Sequence, residues 1–482
     1  MKNESTNLFR TTLQQAGIDS QGVKDFLDAC RKNGCELHQV LIIRDEKIAF
    51  ETCYFPYQPQ DKRHVYSISK SWTATAVGMA VAEGRFSLSD KVVSFFPEEC
   101  PLHPDENLMN MEVRDLLRMG CGHETEPPVR RTEKWVHAFF QHPVPNKPGT
   151  RFLYNTPASY ILAAIVQKVT GQDLIDYLRP RLFEPLGIEK VYWEHSPEGI
   201  CCGGFGIHVS AEDIAKLGLV YLNGGRWRGK QILSEEWVRE ATSCQIDNAP
   251  NPNIDWEQGY GYQIWRCQHD CFRFDGAYGQ YMVAIPQKNA VVVALSYTPN
   301  MQVFLDALWK YLLPAFDRSQ TVNEMQWTDD ICPIPQLQGH RFHASYVCEE
   351  NQWGIRSVEA DTDADGGQIR LQTADNFIWL PFGRTEWKRT QLIQCPVCPD
   401  ILGVRTSPSD QIVAAAGGWN GEQLEIIVRY CETPHTIVWR LNTGANTLTF
   451  LGETPAFSEM DGAGIGLHEV KDGGDDKDVI HS

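Results

Sequence analysis

Two residues with complementary chemistry stand three positions apart in the stretch Tyr66-Ser67-Ile68-Ser69-Lys70. On an α-helix, side chains at i and i+3 share a face, one above the other. An ammonium would then lie beside a hydroxyl at a helix start, where free backbone N–H groups favour negative charge. A serine hydroxyl is a weak nucleophile at neutral pH and needs such help. One reading of the four residues makes Ser67 an acyl-accepting nucleophile with Lys70 as its acid/base partner, although the spacing by itself favours a plainer one. The same four residues also describe a helix N-cap serine followed by a solvated lysine, and a chain of this size carries about one Ser-x-x-Lys by chance.

The surrounding elements must position such a pair. The stretch from Ser67 to Glu83 is rich in alanine and ends at Gly84, which predicts a helix starting at the serine. Upstream, residues 23–33 read as an amphipathic helix. The run QVLIIRDEKIA at 39–49 reads as strand, charged turn and strand, and the Pro-rich FPYQPQDKRH as extended chain. Helical patterns recur at 113–119, 158–170, 174–182 and 211–222, the last stopped by Gly224-Gly225. Apolar runs at 282–285 and 290–296 flank Pro286-Gln287-Lys288-Asn289, a strand–turn–strand signal, and a final helix is expected at 301–312. Strands at both ends with helices between predict an α+β domain over residues 1–316, built on an antiparallel sheet.

After residue 316 the periodicity stops, and 317–334 reads as a linker. Beyond it, LEIIVRY at 424–430 and TIVWRL at 436–441 nearly alternate. Asp365-Gly366-Gly367, Trp419-Asn420-Gly421 and Asn442-Thr443-Gly444 supply turns. Residues 335–460 should therefore form an antiparallel β-barrel or sandwich. The acidic stretch 461–482 is expected to be disordered.

The chain has 482 residues, a length that suits two domains, and a net charge of −18. That charge argues against nucleic acid and against anionic membranes as partners. The start, MKNESTNLFRTTLQQAGIDSQG, has no apolar signal-like core, and no apolar run reaches the ~18 residues of a membrane span. The 15 scattered cysteines, an odd number, fit buried thiols in a reducing compartment, so a cytoplasmic location is expected. The sequence carries no signal for an oligomeric state.

The run VYSISKSWTATAVGMAVAEG at 65–84 resembles the nucleophile helix of the serine β-lactamase and penicillin-binding-protein superfamily. It is most similar to the class C β-lactamase branch with its esterase and amidase relatives. The resemblance continues in order through SLSDKVVSFFPE, MEVRDLLRMGCGH, GTRFLYNTPASYILAAIVQKVTG, GFGIHVSAEDIAKLGLVYLNGG and GYGYQIW. It implies that FLYNT carries the branch's Tyr-x-Asn motif, with Tyr154 as general base and Lys70 lowering its pKa. Two departures stand out. The third motif position holds Thr156, which offers a hydroxyl in place of an amide. The Lys-Thr-Gly triplet aligns with Phe274-Asp275-Gly276; a gapless reading back from Pro286 shifts it by three residues. Neither alignment supplies the lysine or threonine that binds a substrate carboxylate, so penicillins and cell-wall peptides should bind poorly.

The resemblance further implies an oxyanion hole from the backbone N–H groups of Ser67 and Ala277, with Thr156, Gly276 and Tyr278 contacting substrate. The implied activity is hydrolysis of a small or peptide-like ester or amide through an acyl-enzyme, with no metal or organic cofactor. Within the enzyme class, a weak β-lactamase or D-amino-acid peptidase and an acyltransferase remain as alternatives. Outside it stands a catalytically silent ligand-binding protein of the same fold. Other motifs point elsewhere only weakly. Cys395-Pro396-Val397-Cys398 has zinc-knuckle spacing without a completing pair, and Cys267 and Cys271 are a weaker version. Asp361-Thr362-Asp363-Ala364-Asp365-Gly366 mimics a calcium loop but reads as a hairpin turn. His64 and His123 read as framework residues near the proposed site.

Overall fold

A computed structural model describes residues 7–318, 331–397, 410–452 and 464–470. It divides into two units, Met1–Asp330 and Ile331–Ser482.

In the first unit a seven-stranded sheet runs in the order Phe9–Arg10, Lys47–Cys53, Glu36–Arg44, Ala290–Tyr297, Gln280–Ile285, Phe272–Gly276 and Trp265–Arg266. The first pair is parallel and the rest antiparallel. The central strands are buried on both faces, which explains their continuous apolar runs in place of alternation. Adjacent residues Tyr281 and Met282 point to opposite faces. Tyr281 stacks on Phe304 at 4.9 Å, and Phe304 meets Phe26 of the helix Ser20–Lys32 at 5.5 Å. Met282 lies against Gly218 of the helix Ala211–Leu222; a Cβ there would come within 2.7 Å of its sulfur. The sheet is thus covered on both sides.

Between the sheet's two halves lies a helical region built around Ser69–Ala82 and Thr156–Thr170. The helix Ser69–Ala82 is buried nearly all round, so its apolar residues show no single stripe. It starts two residues later than the sequence suggests. Ser67 sits in a one-turn 3₁₀ segment, Tyr66–Ile68, that feeds into the helix. No helix among the described residues is long and apolar enough to cross a membrane.

The second unit is a β-barrel. Among the described residues ten strands form one sheet, and it closes where Phe377–Gly383 meets Gln411–Asn420, with Gly383 opposite Ala416. Alternate residues fill its interior, among them Ile369 and Leu371, Leu424, Ile426 and Val428, and Ile437, Trp439 and Leu441. Two expectations change here. Within 461–482, expected to be a disordered tail, Gly464–Glu469 forms a strand between Phe342–Cys348 and Thr447–Gly452. Its alternating Ile465 and Leu467 enter the core, a two-residue signal too short to read from sequence. Of the expected linker 317–334, residues 319–330 lie outside the described residues. Cys332 beyond them is buried, and its carbonyl accepts a hydrogen bond from Trp387 Nε1 at 3.0 Å.

Candidate functional site

Ser67 is half-buried at the start of the helix region, and Lys70 is 1% exposed directly behind it. Lys70 Nζ donates to Ser67 Oγ at 3.0 Å, to Thr156 Oγ1 at 3.3 Å and to the Gly204 carbonyl at 2.7 Å. Three acceptors match the three protons of an ammonium. Burial nevertheless pulls the Lys70 pKa down to about 7, with the Glu126 carboxylate opposing the fall. A lysine poised there is neutral in half its molecules near pH 7, and the neutral amine has a lone pair to aim at the serine.

The turn that presents Ser67 is strained. Tyr66 has φ +50°, a left-handed conformation that side chains seldom adopt and that costs ~1–3 kcal/mol. It is held from several sides. His64 Nδ1 accepts the Tyr66 N–H at 3.3 Å, and Ser69 Oγ donates to the Tyr66 carbonyl at 2.6 Å. The Tyr66 ring meets Tyr278 edge-on at 5.3 Å. His64 is thus a framework residue of the nucleophile turn.

Tyr154 lies beside the Ser67 and Lys70 pair, with Lys70 Nζ 4.9 Å from the centre of its ring. The ring stacks on Trp265 at 5.4 Å and meets Tyr260 edge-on. These neighbours desolvate the phenol and push its pKa well above the ordinary tyrosine range, an effect that outweighs the opposing influence of the Ser67 hydroxyl. The expectation that Lys70 lowers this pKa is therefore reversed. Burial strips water from both groups; it favours the neutral amine and the neutral phenol alike.

Asn155, between Tyr154 and Thr156, caps the helix Thr156–Thr170 by accepting the Ala158 N–H at 3.1 Å. Its amide also contacts His123 Nδ1 at 3.0 Å, and burial lowers the His123 pKa to about 3. His123 is a neutral framework residue. Thr156 Oγ1 is occupied by Lys70, and its backbone N–H donates to Glu126 at 3.0 Å.

The strand Phe272–Gly276 ends against the nucleophile turn. A Cβ on Gly276 would lie 2.3 Å from the Val65 carbonyl, so only glycine allows this approach. Ala277 and Tyr278, both half-buried, follow in a tight turn with Tyr278 at φ +64° and Gly279 at φ +85°. Buried Gln280 holds that turn from within, donating to the carbonyls of Ala277, Tyr278 and Ser296. Phe274 points away and packs on Tyr221. On the strand's other side Asp275 pairs with fully buried Arg273 at 2.8 Å. Burial raises the Asp275 pKa, and Arg273 opposes the rise. Arg273 in turn lies over Trp256 at 4.3 Å and Trp265 at 5.3 Å.

The β-lactamase family model matches residues 36–314, more than half of the chain. The chain belongs to the β-lactamase family. This β-lactamase-family chain is a serine hydrolase in fold, and hydrolases are among its relatives. The 6-aminohexanoate-dimer hydrolase of Paenarthrobacter ureafaciens is 24% identical over 289 residues, covering 54% of this chain and 72% of that protein. The lovastatin esterase of Penicillium rubens is 27% identical over 160 residues, 28% of this chain and 40% of that protein. The crystal structure of SurE superposes with a TM-score of 0.52 at 16% identity, covering 87% of this chain and 98% of that one. That likeness spans both units and concerns the fold.

Several residues that build this β-lactamase-family site carry no sequence signal. Gly204 offers its carbonyl to Lys70 and admits no side chain, since a Cβ would lie 2.6 Å from Thr156 Cγ2. Glu126 reaches the site from a loop. Gln263 ties three helices together. Its amide nitrogen donates to the carbonyls of Leu116 and Leu117, its side-chain oxygen accepts from Ser159, and its carbonyl accepts from Ser71. Replacing Gln263 with leucine leaves the Ser159 hydroxyl without its acceptor, at a cost of ~1–3 kcal/mol, while the Leu116 and Leu117 carbonyls keep the N–H groups of Met119 and residue 263. The variant is expected to lose about 1–3 kcal/mol, read as a lower urea midpoint at unchanged slope.

The remaining motifs do not join the site. Cys267 Sγ accepts from Arg273 at 3.3 Å, and Cys267 and Cys271 are free thiols. Asp363 caps a hairpin turn between Ser357–Thr362 and Gly366–Gln372, accepting the N–H groups of Asp365 and Gly366. Cys395 is buried, and Cys398 lies outside the described residues.

Proposed function

We propose that this chain cleaves an uncharged carboxylic ester or amide through an acyl-enzyme on Ser67, with neutral Lys70 as the proton acceptor. The observation that carries this reading is Lys70 Nζ, buried and 3.0 Å from Ser67 Oγ, with a pKa near 7. The amine lone pair takes the Ser67 proton while Oγ bonds to the substrate carbonyl carbon. The oxygen that becomes negative is held by the N–H groups of Ser67 and Ala277. The C–O or C–N bond then breaks, and the leaving group takes the proton back from Lys70, relayed by the Tyr154 hydroxyl. Water, or an acceptor alcohol or amine, releases the acyl group by the same steps in reverse. Tyr154 thus acts as a neutral relay and not as a phenolate base, because its ring neighbours disfavour the phenolate.

Substrate charge follows from what lines the serine. Thr156 is engaged by Lys70, and the strand that supplies Lys-Thr-Gly in relatives presents Asp275 paired with Arg273. A carboxylate entering there would meet Asp275 and Glu126, with no free cation on the strand to receive it. The names of two similar proteins, a dimer hydrolase and an esterase, accord with amide and ester cleavage; they bear on the bond broken and not on the substrate's charge. A panel of p-nitrophenyl esters, amino-acid anilides and nitrocefin tests it. Turnover is expected for short neutral esters or anilides, with nitrocefin slower by about 100-fold or more, equivalent to ~2.7 kcal/mol of lost binding to its carboxylate. Nitrocefin as the best substrate would sink the reading and favour a β-lactamase.

A further inference from the structure

We propose that Asp173, His195 and Cys201 form a site for a zinc-class divalent metal ion, separate from the serine centre. Among the described residues this is the one group where three such side chains bring ligand atoms within 4.8 Å of one another. His195 Nε2 lies 3.4 Å from Asp173 Oδ2 and 3.5 Å from Cys201 Sγ.

Hydrogen bonding alone is a poor account of these contacts. Both partners converge on the same ring nitrogen, which carries at most one proton, and 3.4 Å is long for an N–H···O bond. A tetrahedral zinc ion matches the two spacings that meet at His195, and the Asp173-to-Cys201 edge lies within 4.8 Å. With Zn–N and Zn–O near 2.0–2.2 Å and Zn–S near 2.3 Å, the polyhedron's edges come to about 3.4 Å for N···O and about 3.6 Å for N···S. A thiolate, an imidazole and a carboxylate are also the donor set that suits zinc. Cys201 is fully buried while His195 and Asp173 are about one-third exposed, so the fourth position faces solvent and water would fill it.

The three residues come from separate places. Asp173 caps the helix Leu174–Leu178, accepting the Asp176 N–H with Oδ1 and leaving Oδ2 for the site. His195 and Cys201 face each other across an antiparallel bridge. That hairpin continues to Gly204, whose carbonyl accepts from Lys70. An ion here would pin the hairpin to the helix and hold Gly204 in place.

The test uses the full-length chain, stripped with chelator and titrated with Co²⁺. A thiolate-to-cobalt absorption band should grow to one equivalent and vanish on adding Zn²⁺. Cys201→Ser and Asp173→Asn should each weaken binding by at least about 100-fold, while Cys202→Ser leaves the band intact. Asp173→Asn keeps the helix cap, so a folding defect cannot explain its effect. Zn²⁺ should raise the melting temperature of the wild type and not of Cys201→Ser. Absence of a stoichiometric band in wild type, or a band that survives Cys201→Ser, would overturn the proposal.

Discussion

Replacing Ser67 with alanine is expected to lower kcat on a p-nitrophenyl ester by about 10⁶-fold, the scale at which removing a nucleophilic serine acts. The fold should survive. Lys70 keeps its bonds to Thr156 and Gly204, and Tyr154 keeps its stack on Trp265. Intact mass after a fluorophosphonate should show one adduct on wild type and none on Ser67→Ala. The strain at Tyr66 gives this experiment added content. A serine displayed beside a left-handed residue, with Lys70 behind it, is the arrangement that the proposed attack requires. An adduct retained on the alanine variant, or residual turnover above about one per cent, would place the nucleophile elsewhere.

The second large effect is the pH dependence imposed by Lys70. Below pH ~7 its Nζ is an ammonium with three donors and no lone pair, so it cannot accept the Ser67 proton. Above that pH the amine is neutral and the reaction proceeds. The kcat/KM profile on a neutral ester should therefore climb tenfold per pH unit up to about 7 and flatten above it. Lys70→Arg keeps a positive charge that does not dissociate in this range, and should lose about 10²–10⁴-fold with no ascending limb near 7. If Tyr154 were instead the base, the limb would lie far into the alkaline range, because desolvation raises its pKa. The position of the limb thus decides which group moves the proton.

Much of the first unit was legible in the chain. The strand pairs at 36–53 and 280–297 come from apolar runs split by charged or Pro-containing turns, and the helices at 156–170 and 211–222 carry clear caps. Ser67 and Lys70, three residues apart, and the distant Tyr154 were singled out through ordered resemblance, and the fold sets Lys70 Nζ 3.0 Å from Ser67 Oγ and 4.9 Å from the centre of the Tyr154 ring. The short strand at 464–469 was missed because two apolar residues make no pattern. Glu126, Gly204 and Gln263 were missed because a loop carboxylate, a glycine carbonyl and a buried amide look like any other until their partners arrive.

What the sequence alone determined is the inventory: a serine three residues before a lysine, a tyrosine in FLYNT, and no Lys-Thr-Gly at either of the two places, Phe274-Asp275-Gly276 or three residues away, where the resemblance puts it. Those facts set the class of chemistry and argue against anionic substrates. Only the tertiary structure bears on the route proposed for the proton. Burial is a property of packing, and it pulls Lys70 down to about 7 while pushing Tyr154 up. No residue spacing encodes that difference, since it depends on how much water the folded neighbours exclude from each group.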